Sequence, residues 1–182
     1  MGCAGSKSVT IAPGKQLYLY MSEEEIKLVQ ESWEVLKDDL EEVGFLVFQR
    51  LLCMHDEVKK LFHMFLTQES SGEYVIDEGK LRAHSRIVME ALGAAVECLD
   101  DSDQLSLILI SAGHRHANYD VQSNMVMHMW PAVKGALADK LGCGLTKELK
   151  RAWEHVFDFI ASKFAEGVVV CKKNSSNARH IA

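Results

Sequence analysis

Proline is nearly missing from this chain, with 2 in 182 residues against roughly 5% in ordinary proteins. Its scarcity favours long helices without interruption. No C-x-x-C pair occurs among Cys3, Cys53, Cys98, Cys143 and Cys171, so zinc ribbons and thioredoxin-like redox pairs lack their ligands. Five is an odd number, and no signal-peptide core precedes the first helix. A secreted disulfide scaffold is therefore a poor fit. The thiols read as scattered buried residues, with a redox-sensitive pair among Cys53, Cys98 and Cys143 as the alternative. No apolar run approaches the ~20 residues of a membrane-spanning helix; the longest extends from Leu105 to Gly113. Basic residues are outnumbered 20 to 26, a formal charge of -6, which argues against a general nucleic-acid binder. A P-loop, a G-x-G-x-x-G after a strand, H-E-x-x-H and G-x-S-x-G are all absent. The stretch Asp101-Ser102-Asp103-Gln104-Leu105 fails as an EF-hand because it lacks the third ligand position and the following Gly.

What remains is a composition of 48% apolar and 25% charged residues, enough for one domain with a sizeable core. Residues 1–21 carry Ser, Gly and Pro13 without helical period and read as a flexible arm. Ser22 and Glu25 form an S-x-x-E capping box that opens the first helix. Ile26, Val29, Trp33, Leu36, Leu40 and Val43 then recur at steps of 3, 4, 3, 4 and 3, one face of an amphipathic helix. Val43 to Met54 is apolar nearly all round and is expected to be buried on several sides. Leu81, His84, Val88, Ala91, Ala95 and Leu99 share one stripe; Leu105, Leu109, Ala112 and His116 share another, after an acidic start at Asp100 to Asp103. Ser123 opens the next segment, with a kink expected at Pro131, and Thr146 caps the last, which runs through Trp153, Phe157 and Phe164. Strand-like scraps appear only at Leu17 to Tyr20 and Val168 to Val170. The expected class is all-α, with six to eight helices.

The first residues, Met1-Gly2-Cys3-Ala4-Gly5-Ser6-Lys7, match the M-G-x-x-x-[ST] acceptor for N-myristoylation at Gly2, and Cys3 beside it is a natural palmitoylation site. One acyl chain holds a protein only marginally, whereas two anchor it stably. Inside the body, the chemistry rests on histidine. Eight occur, and His84 and His116 fall on the apolar stripes of neighbouring helices. Two helices that each turn one imidazole inward can clamp a flat apolar cofactor through its metal, with Phe62, Phe65, Val88 and Val121 as lining. A zinc site from His84, His114 and His116 lacks carboxylate or thiolate companions at ligand spacing.

On these residues the stretch from Ser22 to about Gly167, 146 residues, resembles the globins. Trp33 stands where the first globin helix carries its Trp. Lys60-Leu61-Phe62-His63-Met64-Phe65 is similar to the turn whose aromatic packs on the haem face. Leu81 to Val88 resembles the helix bearing the distal His, with an aliphatic residue four positions on. Gly113-His114-Arg115-His116 resembles the proximal region. The 32 residues from His84 to His116 are spaced as in neuroglobins. His114 is a rival proximal ligand on the same helix. The chain departs from the family pattern at Asp56, where a Pro is common, and at Ala112, where a Leu is usual.

A globin body with Met-Gly-Cys and two extensions is similar to the acylated globin X branch of that family. The resemblance implies a bis-histidyl haem b, with His116 proximal and His84 distal, at the cytosolic face of a membrane. It implies reversible binding of O2, NO or CO and cycling between Fe(II) and Fe(III). A redox task such as nitrite reduction, fed by an unknown electron donor, then suits the protein better than oxygen transport. The reading from another class is a haem-free acylated helical sensor or scaffold. The expected organisation is an arm at 1–21, a body at 22–167 and a basic tail at 168–182. The tails carry Lys7, Lys15, Lys172, Lys173 and Arg179 and no acid, which leaves 15 basic against 26 acidic residues in the body, or -11. Basic arms on an acidic domain suit an anionic leaflet.

Overall fold

The computed structural model describes residues 21–179, with side chains described as far as Lys172. Gly2 and Cys3, Lys7 and Lys15 and the scrap at Leu17 to Tyr20 lie outside the described residues. Helix α1 (Glu23–Leu36) starts at the expected box: Ser22 Oγ accepts the Glu25 N–H while the Glu25 carboxylate accepts the Ser22 N–H. Helix α2 (Leu40–Met54) follows a short 3-10 turn and buries seven of its residues. Helix α3 (Asp56–Lys59) and a 3-10 turn over Lys60–Phe62 lead into a two-stranded antiparallel hairpin, β1 (Leu66–Gln68) and β2 (Tyr74–Ile76).

Asp77 then caps helix α4 (Glu78–Glu97) through the Lys80 N–H, and Asp101 caps helix α5 (Ser102–His116) through the Gln104 N–H. Helix α6 (Met129–Leu141) and helix α7 (Lys147–Arg179) complete the chain, and Thr146 accepts the Leu149 N–H as expected of a cap. The all-α class holds, with one small hairpin added among the described residues. Three-residue strands are too short to show alternation, which needs 4–8 residues to register.

Three sequence expectations are corrected. Pro131 produces no mid-helix kink, because α6 begins at Met129 after a 3-10 turn. The proline is the third helical residue, where a backbone N–H has no acceptor within the helix anyway. The strand-like Val168 to Val170 is helical, because α7 runs on through position 168 to Arg179. Phe164, Val168 and Cys171 lie at steps of 4 and 3 along it, and Val168 and Cys171 are both buried, so the apolar stripe carries the helix through this segment. Lastly, among the described residues Cys53 and Cys143 are exposed, Cys98 is half-buried and Cys171 is buried, so the thiols are not uniformly core residues.

Small residues decide how the helices meet. A Cβ on Gly44 of α2 would lie 2.7 Å from Met89 Cγ and 3.0 Å from the Ser85 carbonyl of α4, and one on Gly93 would lie 3.0 Å from the Trp33 ring. The crossing of α5 and α7 is closer still: a methyl on Gly113 would overlap the Phe164 carbonyl, and one on Gly167 the Ile110 carbonyl. Trp33 and Trp153 stack at a tilt in the centre, 6.2 Å between ring centroids. Trp153 is fully buried and its indole N–H donates to Ser32 Oγ at 3.0 Å, while Ser32 donates to the Val29 carbonyl. Ser32→Ala strands that indole N–H in an apolar core. The expected loss is about 1–3 kcal/mol of folding free energy, measured by urea unfolding; a change within error would mean that the bond contributes nothing net.

Candidate functional site

His84 sits on α4 one turn after Leu81, on a stripe that also presents Val88. Its ring is enclosed by phenylalanines from two other segments. Phe65 stacks on it at 5.1 Å between centroids, Phe48 of α2 meets it edge-on at 5.2 Å, and Phe62 does so at 6.2 Å. Phe62 and Phe65 also touch each other, at 5.9 Å. The 3-10 turn over Lys60–Phe62 supplies this geometry, with the Phe65 N–H donating to the Phe62 carbonyl at 2.8 Å. The Asp77 N–H donates back to the Phe65 carbonyl at 2.8 Å, tying the aromatic turn to the start of α4.

His116 is the last residue of α5 and is half-buried, whereas its rival His114 is exposed. The close α5–α7 crossing lies one turn before it, at Gly113, and brings Phe164 of α7 to 5.0 Å from the His116 ring. His116 Nδ1 lies 2.8 Å from the Ala112 carbonyl. A carbonyl oxygen only accepts, so Nδ1 carries the proton and Nε2 is left with its lone pair. A second partner that fixes the tautomer in this way is what a metal-binding imidazole requires. Ala112 contributes through its backbone, so the missing Leu side chain at that position does not affect this bond.

Burial holds His84 below the ordinary imidazole range, and repulsion from a protonated His116 adds to the depression. The two rings are therefore in electrostatic reach of each other, and His84 is a neutral lone-pair donor at neutral pH. The donor set, two half-buried imidazoles on separate helices among apolar rings, fits an axially ligated flat metal cofactor.

Of the sequence-derived residues, His84, Phe62 and Phe65 form one cluster. Val88 packs partly buried against the core beside it. Val121 is half-buried in the connection between α5 and α6, just after Asp120 in the left-handed region at φ 60°. Gly2 and Cys3 are outside the described residues. Sequence reasoning did not single out Phe48, because α2 is apolar nearly all round and no residue on it stands apart. Phe164 had a signal in its position on the α7 stripe, but nothing in the spacing tied it to His116.

The seven helices of the described residues, with His84 on α4 and His116 at the end of α5, make a helical protein that offers imidazoles from two separate helices. The Globin family model matches residues 46–164, and the chain belongs to the globin family. It is 26% identical over 147 residues to a neuroglobin of Dissostichus mawsoni, covering 81% of this chain and 92% of that one. With cytoglobin-1 of Oryzias latipes it shares 26% over 140 residues, 75% and 77% of the two chains. With a minor globin of Anadara trapezia it shares 30% over 126 residues, 69% and 80%. The crystal structure of a hexacoordinated heme protein from an anhydrobiotic tardigrade superimposes with a TM-score of 0.72 at 19% identity, covering 81% of this chain and 95% of that one.

The depressed His84 makes stability depend on pH. Its folded value lies below the unfolded one, so the unfolded chain takes up this proton first. The contribution is fully present above the unfolded value and is lost as pH falls through the folded value. In the ligand-free chain, Tm is expected to drop between about pH 7.5 and about pH 5.5, and to drop less in His84→Leu. An equal drop in both proteins would assign the acid sensitivity elsewhere.

Proposed function

We propose that this globin binds haem b between His116, on the proximal side, and His84, on the distal side. The observation that carries the reading is the pair of half-buried imidazoles on α4 and α5, one caged by three phenylalanines and the other fixed by its Nδ1 bond to Ala112. When bound, the iron supplies a site for O2, NO or CO and a one-electron couple between Fe(II) and Fe(III). His116 offers Nε2 as a permanent ligand. His84, neutral and held by packing alone, offers a second ligand that can leave, so gas affinity is lowered by the fraction of open sites. Phe62, Phe65, Val88 and Val121 exclude water from the pocket. The likeness in fold to a hexacoordinated heme protein of a tardigrade, and the similarity to neuroglobins, support the same assignment.

The assignment extends to location. Among the described residues no helix is long and apolar enough to cross a membrane. Acyl chains on Gly2 and Cys3 would instead hold the protein to the cytosolic leaflet, as in the globin X branch, with the basic residues of both extensions facing anionic lipid. A tethered protein with two iron ligands suits redox work at the membrane, such as reduction of nitrite to NO or removal of an oxidant, better than bulk oxygen carriage.

Adding haemin to the purified protein is expected to give a Soret band, and reduction with dithionite a low-spin ferrous spectrum. His116→Ala should lose tight haem binding, while His84→Leu should keep haem and turn the ferrous spectrum high-spin. No Soret band would leave the haem-free scaffold as the reading, and a high-spin wild-type spectrum would remove His84 as a ligand. For the tether, full-length protein expressed in eukaryotic cells should pellet with membranes and Gly2→Ala should not; full retention of the variant would overturn acylation.

A further inference from the structure

We propose that His55, Glu57 and His128 form a second metal site, for a divalent ion of the zinc class, separate from the His84–His116 pair and independent of the haem reading. Three Lewis bases converge there. His55 Nδ1 lies 3.0 Å from His128 Nδ1 and 3.2 Å from Glu57 Oε1, and His128 Nδ1 lies 3.9 Å from the same oxygen. Metal–ligand bonds of about 2.0–2.2 Å put tetrahedral ligand atoms roughly 3.3–3.6 Å apart, so the three edges of this triangle straddle the required spacing. Two imidazoles and one carboxylate are a donor set that zinc accepts, with the remaining position open to water.

The arrangement is held by backbone rather than by chance contact of long side chains. His55 breaks the helical path between α2 and α3, at φ -135° and ψ 86°. Its N–H donates to the Leu51 carbonyl and its own carbonyl accepts the Val58 N–H, both at 3.1 Å. Glu57 is in the first turn of α3, and His128 ends the 3-10 turn just before α6, so the site joins two segments 73 residues apart. The imidazoles meet edge-on at 4.2 Å between centroids. Their side chains are only 22% and 28% exposed, while Glu57 is 56% exposed. The rings are thus pre-positioned and the carboxylate side admits an ion from solvent. A proton serves this cluster poorly: one Nδ1–H on His55 can point at His128 or at Glu57 but not at both. A single divalent cation answers all three lone pairs at once.

The test uses the full chain, stripped with a chelator and dialysed, with ZnCl2 as the probe. Calorimetry is expected to show one zinc bound, and Tm to rise with zinc because only the folded state holds all three ligands together. His55→Gln and His128→Gln should each bind at least about tenfold more weakly and lose the Tm rise. Glu57→Gln, on an exposed side chain, gives the same readout without touching the packing. His84→Leu should respond to zinc as wild type does. No heat and no Tm shift at millimolar zinc would overturn the proposal. So would affinity unchanged in all three ligand variants, or affinity lost in His84→Leu.

Discussion

The close approach of α5 to α7 is the constraint on which the position of His116 depends. Their backbones meet at Gly113 and Gly167 with no side chain between them, and the last turn of α5 is thereby held where Phe164 reaches the His116 ring. A larger residue at either glycine would push the helices apart by a side-chain diameter. His116 would move with α5, since it lies less than one turn beyond the crossing. The same logic governs the other imidazole, where Gly44 lets α2 settle against Ser85 and Met89 of α4 and so carries Phe48 to the edge of His84.

The two imidazoles are held by different means. His116 has a hydrogen bond to its own helix that fixes ring orientation and tautomer. His84 has aromatic packing on three sides and a pKa depressed chiefly by burial. Orientation by a directional bond resists displacement more than orientation by packing, because ring contacts lose little when an imidazole slides along an apolar wall. This difference leaves one imidazole fixed and the other free to move.

Much of the helical frame is legible in the sequence, because apolar steps of three and four and capping residues act locally. Ser22 and Thr146 each cap the helix that the pattern assigned to them, and the acidic run at 100–103 supplies the cap of α5 through Asp101. The same periodicity identifies His84 and His116, and burial separates His116 from His114. Other features were hidden by the kind of residue that makes them. Helix α4 has a second buried stripe through Ser85, Met89 and Gly93, and Ser and Gly look like surface residues until their neighbours are known; Ser85 is accommodated because its hydroxyl donates to the Leu81 carbonyl. The His55–Glu57–His128 group combines residues from two distant segments of the body. No spacing rule joins positions 73 apart, and only the tertiary fold brings them together.

The hairpin between Phe65 and Asp77 follows from a single closing contact. Because the Asp77 N–H reaches the Phe65 carbonyl, and Leu66 pairs with Ile76 just beyond it, the chain leaves and re-enters the body at nearly the same point. Leu66 and Ile76 pack on the core, and the exposed residues 67–73 between them hang on that clasp as a side branch, with a tip turned by Gly72 at φ 87°. The branch is an insertion point: its length can change in evolution, or a reporter domain can be spliced into its tip, while the phenylalanine wall and the start of α4 keep their distance.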